Sequence, residues 1–369
     1  MSQIPFDPIR TWMFEEALPF WAARGVDARH GGFLEELTLA GAETDVAFKR
    51  TRVTCRQGYA FAHAAVLGWA PGLALAERAC AYLEEHARLP DGGWARLLSR
   101  DGAVRDAAPD LYDLSFILFV FAWRYRAEAD ERARGRAHQV LDFIEAHLRA
   151  PGGGYWPKAP HAGVRLQNPH MHLTEACIAA YDAFGEQRYL DKARELVTPL
   201  RTRFFDGRSL GERFNEDWSR LAGEEGRTLE PGHHFEWTWI LAQYQRLSGE
   251  DVIAEAKALT AFAEAHGVDP QSHAVYDAVR DDGAPLKRSS RSWTNTERIK
   301  AHLALFELTG ADPREPVRQS VNLLLERYLA TPTRGAWIDQ FDGEGRPMTD
   351  IVPASILSSV PGVRRSAAA

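Results

Sequence analysis

Polar and ionisable residues gather in five clusters along the chain, at intervals that match one another. Arg52, Arg56 and Gln57 form the first, Tyr112 and Asp113 the second, and Asn168, His170, His172 and Glu175 the third. His233, His234 and Glu236 form the fourth, and Arg291, Trp293 and Glu297 the fifth. Positions 56, 113, 172, 236 and 297 are separated by 57, 59, 64 and 61 residues. Two clusters share the pattern His-x-x-Glu, His172 with Glu175 and His233 with Glu236. Residues three apart lie on one helical face, so each glutamate is placed to orient and support its histidine. A neutral imidazole held in this way is a general base near neutral pH. The first turn of a helix also favours a developing anion beside it. With Arg56 as a permanent cation and aromatics around it, the set suits proton abstraction next to a sugar carbonyl. The resulting enediolate needs electrostatic stabilisation, usually the largest catalytic contribution.

Other chemistries fit less well. A lone histidine on an apolar helix is more often a satisfied core residue, but two His-x-x-Glu pairs at matching positions point to function. His170 and His172 with His233 and His234 could be read as metal ligands. Alternate residues on a helix point about 200° apart, however, and no aspartate-rich set accompanies them, so no metal is expected. Neither GxxxxGK[ST] nor GxGxxG occurs, and no cofactor is expected.

Clusters repeating every 60 residues or so need elements that repeat likewise. Gly- and aromatic-rich turns recur at Gly31–Phe33, Gly92–Trp94 and Gly152–Trp156, with weaker versions near Phe205–Phe214, Gln271–Tyr276 and Gly335–Asp339. Between them the apolar residues fall at helical spacing, with little sustained strand alternation. One set of helices has a charged face: Asp7–Arg24, Gly72–Arg88, Ala127–Ala150, Gln187–Phe204, Glu250–His266 and Arg314–Leu329. A second set is apolar nearly all round: Arg52–Trp69, Leu111–Tyr125, Pro169–Phe184, His233–Leu247 and Ser292–Leu308. The first belongs outside and the second inside. The pattern predicts an all-α fold, an (α/α)6 barrel of six helical hairpins, with the polar clusters converging on one cavity. The alternative is an open solenoid, which would bind a protein instead of a small molecule. No linker interrupts the repeat, so residues 1–369 are expected to form a single domain.

Composition agrees with a small-molecule enzyme. Of 369 residues 45% are hydrophobic, enough for a large core. The balance of 44 basic against 51 acidic residues, net −7, carries no footprint for nucleic acid or an anionic membrane. The longest uncharged apolar run, Leu114–Trp123, is about half a membrane span. Three scattered cysteines and an N-terminus without a signal-peptide profile point to the cytoplasm, with the chain a monomer or homodimer.

Five segments together resemble the N-acylglucosamine 2-epimerase superfamily, whose members include mannose isomerases and cellobiose 2-epimerases. They are TRVTCRQ (Thr51–Gln57), DLYDLSF (Asp110–Phe116), NPHMHLTEA (Asn168–Ala176), EPGHHFEW (Glu230–Trp237) and WTNTERIKA (Trp293–Ala301). The family's fold is a six-hairpin α/α barrel. The resemblance implies that His233 is one of two catalytic histidines that shuttle the C2 proton, with Glu236 beside it. It implies that Arg56 steadies the enediolate, and that His172 and Asn168 serve ring opening and hydroxyl binding. Tyr112, Asp113, Glu175, Trp293 and Glu297 would line the sugar site. Members acting on mannose tend to carry Pro-Ala-Ser-x-x-Tyr-His near the C-terminus, and Pro353-Ala354-Ser355 matches its start. The Tyr and His of that pattern fall on Ser358 and Ser359, and Pro361 and Gly362 are expected to cut the sixth inner helix short.

The expected function is therefore aldose–ketose isomerisation of mannose-type sugars and fructose through a C1–C2 enediolate. Isomerisation can use a single base, whereas epimerisation needs protonation from the opposite face of C2. The alternatives are a 2-epimerase of an (N-acyl) hexose or disaccharide, a non-catalytic sugar-binding paralogue, and a six-hairpin glycoside hydrolase. That last reading would use Asp113, Glu236 or Glu297 as acid and base.

Overall fold

The computed structural model describes residues 6–161 and 163–358. Along the chain run α1 (Phe6–Thr11), α2 (Leu18–Arg24), α3 (Thr51–Val66), α4 (Pro71–Tyr82), α5 (Leu111–Glu128), α6 (Glu131–Leu148) and α7 (Gln167–Phe184). Then come α8 (Gln187–Pro199), the short α9 (Gly223–Arg227), α10 (Pro231–Ser248), α11 (Ile253–Gly267), α12 (Ser292–Thr309) and α13 (Arg314–Leu323). Helices α3, α5, α7, α10 and α12 pack side by side in that order, and each also packs on the outer helix that follows it. The inner positions follow from composition. In α5 every residue from Asp113 to Arg124 is buried, a run that no amphipathic surface helix would tolerate.

The sixth inner place is taken, among the described residues, by a single tight turn, Ala354–Ile356, which packs on α3. Ser359, Pro361 and Gly362 lie outside the described residues. The ring nevertheless closes. Ile351–Pro353 pairs antiparallel with Glu36–Thr38, Leu37 opposite Val352. The Trp337 ring lies 5.3 Å from Trp21 and 6.2 Å from Trp12, joining the last loop to the first helices. Closure of this kind separates the fold from an open solenoid.

The turns hold short strands, each of two or three residues, that the sequence pattern did not announce. Runs this short show no alternation to detect. Their placement is regular. Phe48–Arg50, Arg165–Leu166 and Ser290–Arg291 immediately precede α3, α7 and α12, and Thr228–Leu229 lies one residue before α10. Each pairs with a strand farther along the chain: Leu97–Ser99, Arg213–Phe214, Ala278–Arg280 and Gln340–Phe341. These pairs peg the N-termini of the inner helices to one another at one end of the barrel. At the other end Asp182 of α7 bridges Arg126 of α5 and Arg246 of α10. Among the described residues no helix is long and apolar enough to cross a membrane.

Candidate active site

The pegged end brings the predicted residues together. Arg56 sits in the second turn of α3, and Tyr112 near the start of α5; Asn168, His172 and Glu175 lie on α7. His233 and Glu236 lie on α10, and Trp293 and Glu297 on α12. Pro231 fits the first turn of α10, where its missing N–H costs nothing. Gly232 follows because a Cβ there would meet the Trp293 ring at 2.6 Å. That close approach lays the Trp293 ring 5.6 Å from the His233 ring.

Arg56 is held from three sides. It donates to the Tyr112 hydroxyl at 2.8 Å and to Ser358 Oγ at 3.2 Å, and its guanidinium lies 4.2 Å over the Phe116 ring. The His172 ring packs 4.8 Å from both Tyr112 and Phe116. Its Nδ1 lies 3.4 Å from Glu175 Oε2, as the His-x-x-Glu spacing predicts, and 3.7 Å from Glu236 Oε1. Burial outweighs the pull of Glu175 and, helped by Arg56, holds this imidazole down at about 4, so it is neutral at pH 7.

The second His-x-x-Glu pair is arranged differently from its prediction. His233 Nδ1 meets Glu212 Oε2 at 3.0 Å, and its Nε2 lies 3.7 Å from Glu230 Oε2. Glu236, expected to support His233, points instead toward His172. Burial would lower His233, but the charges of Glu212 and Glu230 and the bond to Glu212 outweigh it and raise the group to about 10. Gln167, the first residue of α7, completes the clamp. Its Nε2 donates to Glu212 Oε2 at 2.8 Å and its Oε1 accepts from Trp237 Nε1 at 2.8 Å. Glu212 and Gln167 were missed by the sequence reading. Glu212 lies in a turn with no periodicity, and Gln167 stands just before the NPHMH segment.

Three carboxylates crowd the lumen beneath the histidines: Glu175, Glu236 and Glu297. Lys300, also missed although it lies in the same WTNTERIKA segment, pairs with Glu297 at 2.7 Å. Burial, reinforced by the charges of Glu297 and Glu175, lifts Glu236 to about 8. A carboxyl raised in this way binds a proton in the folded state that the unfolded chain has already released. Stability therefore falls as pH rises from the ordinary glutamate value, ~4.3, toward about 8, and levels off above it. Glu236→Gln is expected to unfold at higher urea than the parent at pH 9, by on the order of 2–4 kcal/mol. The gap should nearly vanish at pH 5. An equal gap at both pH values would mean that buried charge is not its source.

The remaining predicted residues divide. Among the described residues Asn168 Oδ1 is buried without a hydrogen-bond partner. Asp113, expected to line the sugar site, is 2% exposed and engaged elsewhere: it accepts from the Arg52 backbone N–H at 3.1 Å and pairs with its guanidinium at 3.0 Å. It fastens α5 to α3. His170 and His234 are structural pins. In each, Nδ1 meets the carbonyl four residues back, and Nε2 accepts a loop N–H, from Tyr155 at 2.9 Å and Leu210 at 3.0 Å. Two groups have ligand atoms within 4.8 Å of one another, as a metal ion would need: His172, Glu175 and Glu236, and Glu212, Glu230 and His233. The closest contacts in both are already ordinary His–carboxylate pairs.

Comparison with known proteins agrees with the fold. The sequence pattern of the N-acylglucosamine 2-epimerase (GlcNAc 2-epimerase) family matches residues 31–357. A mannose-6-phosphate isomerase of Rhizobium meliloti (strain 1021) is 33% identical over 355 residues, covering 93% of this chain and 92% of its own. A D-mannose isomerase of Thermobifida fusca is 28% identical, over 90% of this chain and 87% of its own. The crystal structure of a D-mannose isomerase superposes with a TM-score of 0.89 at 20% identity, covering 97% of each chain. The closed ring of helical hairpins, the ordered motifs and these full-length matches lead to one conclusion: the chain belongs to the N-acylglucosamine 2-epimerase family.

Proposed function

We propose that this enzyme interconverts a free mannose-type aldose and fructose. Membership of a family of sugar isomerases and epimerases supports the reaction class. The observation that carries the reading is the pair of buried histidines on neighbouring inner helices, with Arg56 in the same lumen. His233 takes the C2 proton and returns it to C1 on the same face. The O2 proton passes to O1, so the reaction balances without a second reactant. Arg56 stabilises the intervening enediolate, and His172 assists ring opening. Isomerisation is favoured over epimerisation because Ser358 and Ser359 stand in the sequence where the family pattern carries Tyr and His, and Ser358 Oγ accepts from Arg56.

A free sugar is favoured over a phosphosugar by charge. Arg50, Arg52 and Arg96, near the starts of α3 and α5, already hold Glu35, Asp113 and Asp106 at 2.7, 3.0 and 2.6 Å. Inside, Arg56 and Lys300 face three carboxylates. A phosphate dianion would have to displace such partners. Free and phosphorylated aldoses followed by NMR in D₂O test this. Mannose is expected to give fructose labelled at C1, with mannose 6-phosphate at least tenfold slower, on the order of 1.4 kcal/mol. Faster turnover of the phosphosugar would sink the free-sugar reading, and recovery of a C2-labelled aldose without ketose would make the enzyme an epimerase.

A further inference from the structure

Histidines at equivalent turns of α7 and α10 are held in two distinct ways. His170 and His234 engage both ring nitrogens with backbone and have no proton to trade. His233, next in sequence to one of them, has a carboxylate on Nδ1 instead, while Nε2 meets Glu230 only at 3.7 Å, beyond hydrogen-bond length. That carboxylate comes from outside the inner helices altogether. Glu212 is 7% exposed and accepts from Gln167 Nε2 at 2.8 Å and from the Glu230 backbone N–H at 3.3 Å. It is therefore fixed by α7 and by the segment entering α10 before His233 is considered.

From this geometry we infer that Glu212 is the positioning residue of the reaction, holding His233 in the Nδ1–H tautomer so that Nε2 is the atom that carries the proton. A carboxylate on the remote nitrogen fixes ring orientation and compensates the imidazolium that forms when Nε2 takes a proton. The inference rests on the isomerase reading for its kinetic consequence but not for its geometry. Other charges face the same ring. Glu230 and Glu236 lie on its own segment and His172 on α7, and His234 adjoins it; α12 contributes the uncharged Trp293 ring. Arg291 acts on Glu230. Two groups lie at hydrogen-bond distance from its Nδ1, Glu212 Oε2 at 3.0 Å and Gln167 Nε2 at 3.1 Å; of the two, Glu212 is the charged one and the one that can accept a proton from Nδ1, so its replacement should move the His233 titration most.

The experiment is histidine ¹⁵N NMR on the full-length chain without substrate, with His233 assigned by the signal lost in His233→Gln, combined with kinetics of Glu212→Gln. The parent should show a protonated Nδ1 throughout and a His233 midpoint well above that of a free histidine. Glu212→Gln should lower that midpoint by more than one pH unit and reduce kcat roughly 10- to 100-fold with KM within threefold. A His233 Nε2–H tautomer in the parent, an unmoved midpoint, or unchanged kcat would overturn the assignment. If Glu212→Gln does not fold, the tautomer in the parent decides. Because the NMR arm uses no sugar, an enzyme inactive on mannose with the expected tautomer would count against the substrate and not against Glu212.

Discussion

His233→Gln is expected to lower conversion of mannose to fructose by about 10²- to 10⁴-fold, the usual worth of a general base, with the fold intact. The side chain is buried and ringed by Trp293, Glu212 and Gln167, and a glutamine fills most of its volume and keeps a polar atom near Glu212. Loss of activity would then report chemistry and not collapse. Deuterium wash-in at C1 and C2 separates the possibilities more sharply than product formation does. If His233 moves the C2 proton, exchange and isomerisation fall together. If exchange persists while fructose formation stops, another group takes the proton and His233 acts later. His172, held neutral by its burial, is the group to which the role would pass. The pH profile adds a sign. His233, raised to about 10, is protonated in the resting enzyme at neutral pH, so a requirement for its neutral form makes activity climb with pH toward that value. A profile flat from pH 6 to 9 would mean that bound sugar lowers the group, or that the imidazolium is the working form.

The contrast between the two His-x-x-Glu motifs shows what a repeat reveals and what it hides. The helical period placed five polar clusters at one level of a ring, and Arg56, Tyr112, His172, Glu236 and Glu297 do meet there. The same period wrongly paired His233 with Glu236. An i,i+3 spacing guarantees only a shared helical face. In a closed ring that face looks across the lumen, so Glu236 reaches the neighbouring helix and lies 3.7 Å from His172. Glu212 was invisible for the converse reason. It sits 21 residues before its partner in an irregular turn, and only the pairing of Arg213–Phe214 with Arg165–Leu166 brings it under α10. The five inner helices were legible from their apolar composition. The short strands that peg them carry no periodic signal, and Asp113 looked like a ligand group because nothing in sequence ties it to Arg52, 61 residues earlier.

Arg56→Lys should cost nearly as much as Arg56→Met, on the order of 10²- to 10³-fold in kcat, the worth of a preorganised donor at a developing oxyanion. The conservative change fails because the site uses the shape of the guanidinium as well as its charge. One face stacks on Phe116 at 4.2 Å, one nitrogen serves Tyr112 at 2.8 Å, and another serves Ser358 at 3.2 Å. An ammonium cannot stack as a plane or hold two divergent acceptors from the same place. Arg56 also acts on the carboxylates, since its charge favours ionised Glu175 and lowers His172. Removing it should raise the His172 midpoint and lower the ionised fraction of Glu175 at a given pH. Because the enediolate charge exists only after the C2 proton has left, the loss should appear in kcat, with KM changed little. A loss confined to KM would make Arg56 a ground-state sugar ligand. Retention of activity in Arg56→Lys to within threefold would show that any nearby cation suffices, with Lys300, already paired with Glu297 at 2.7 Å, the one to test next.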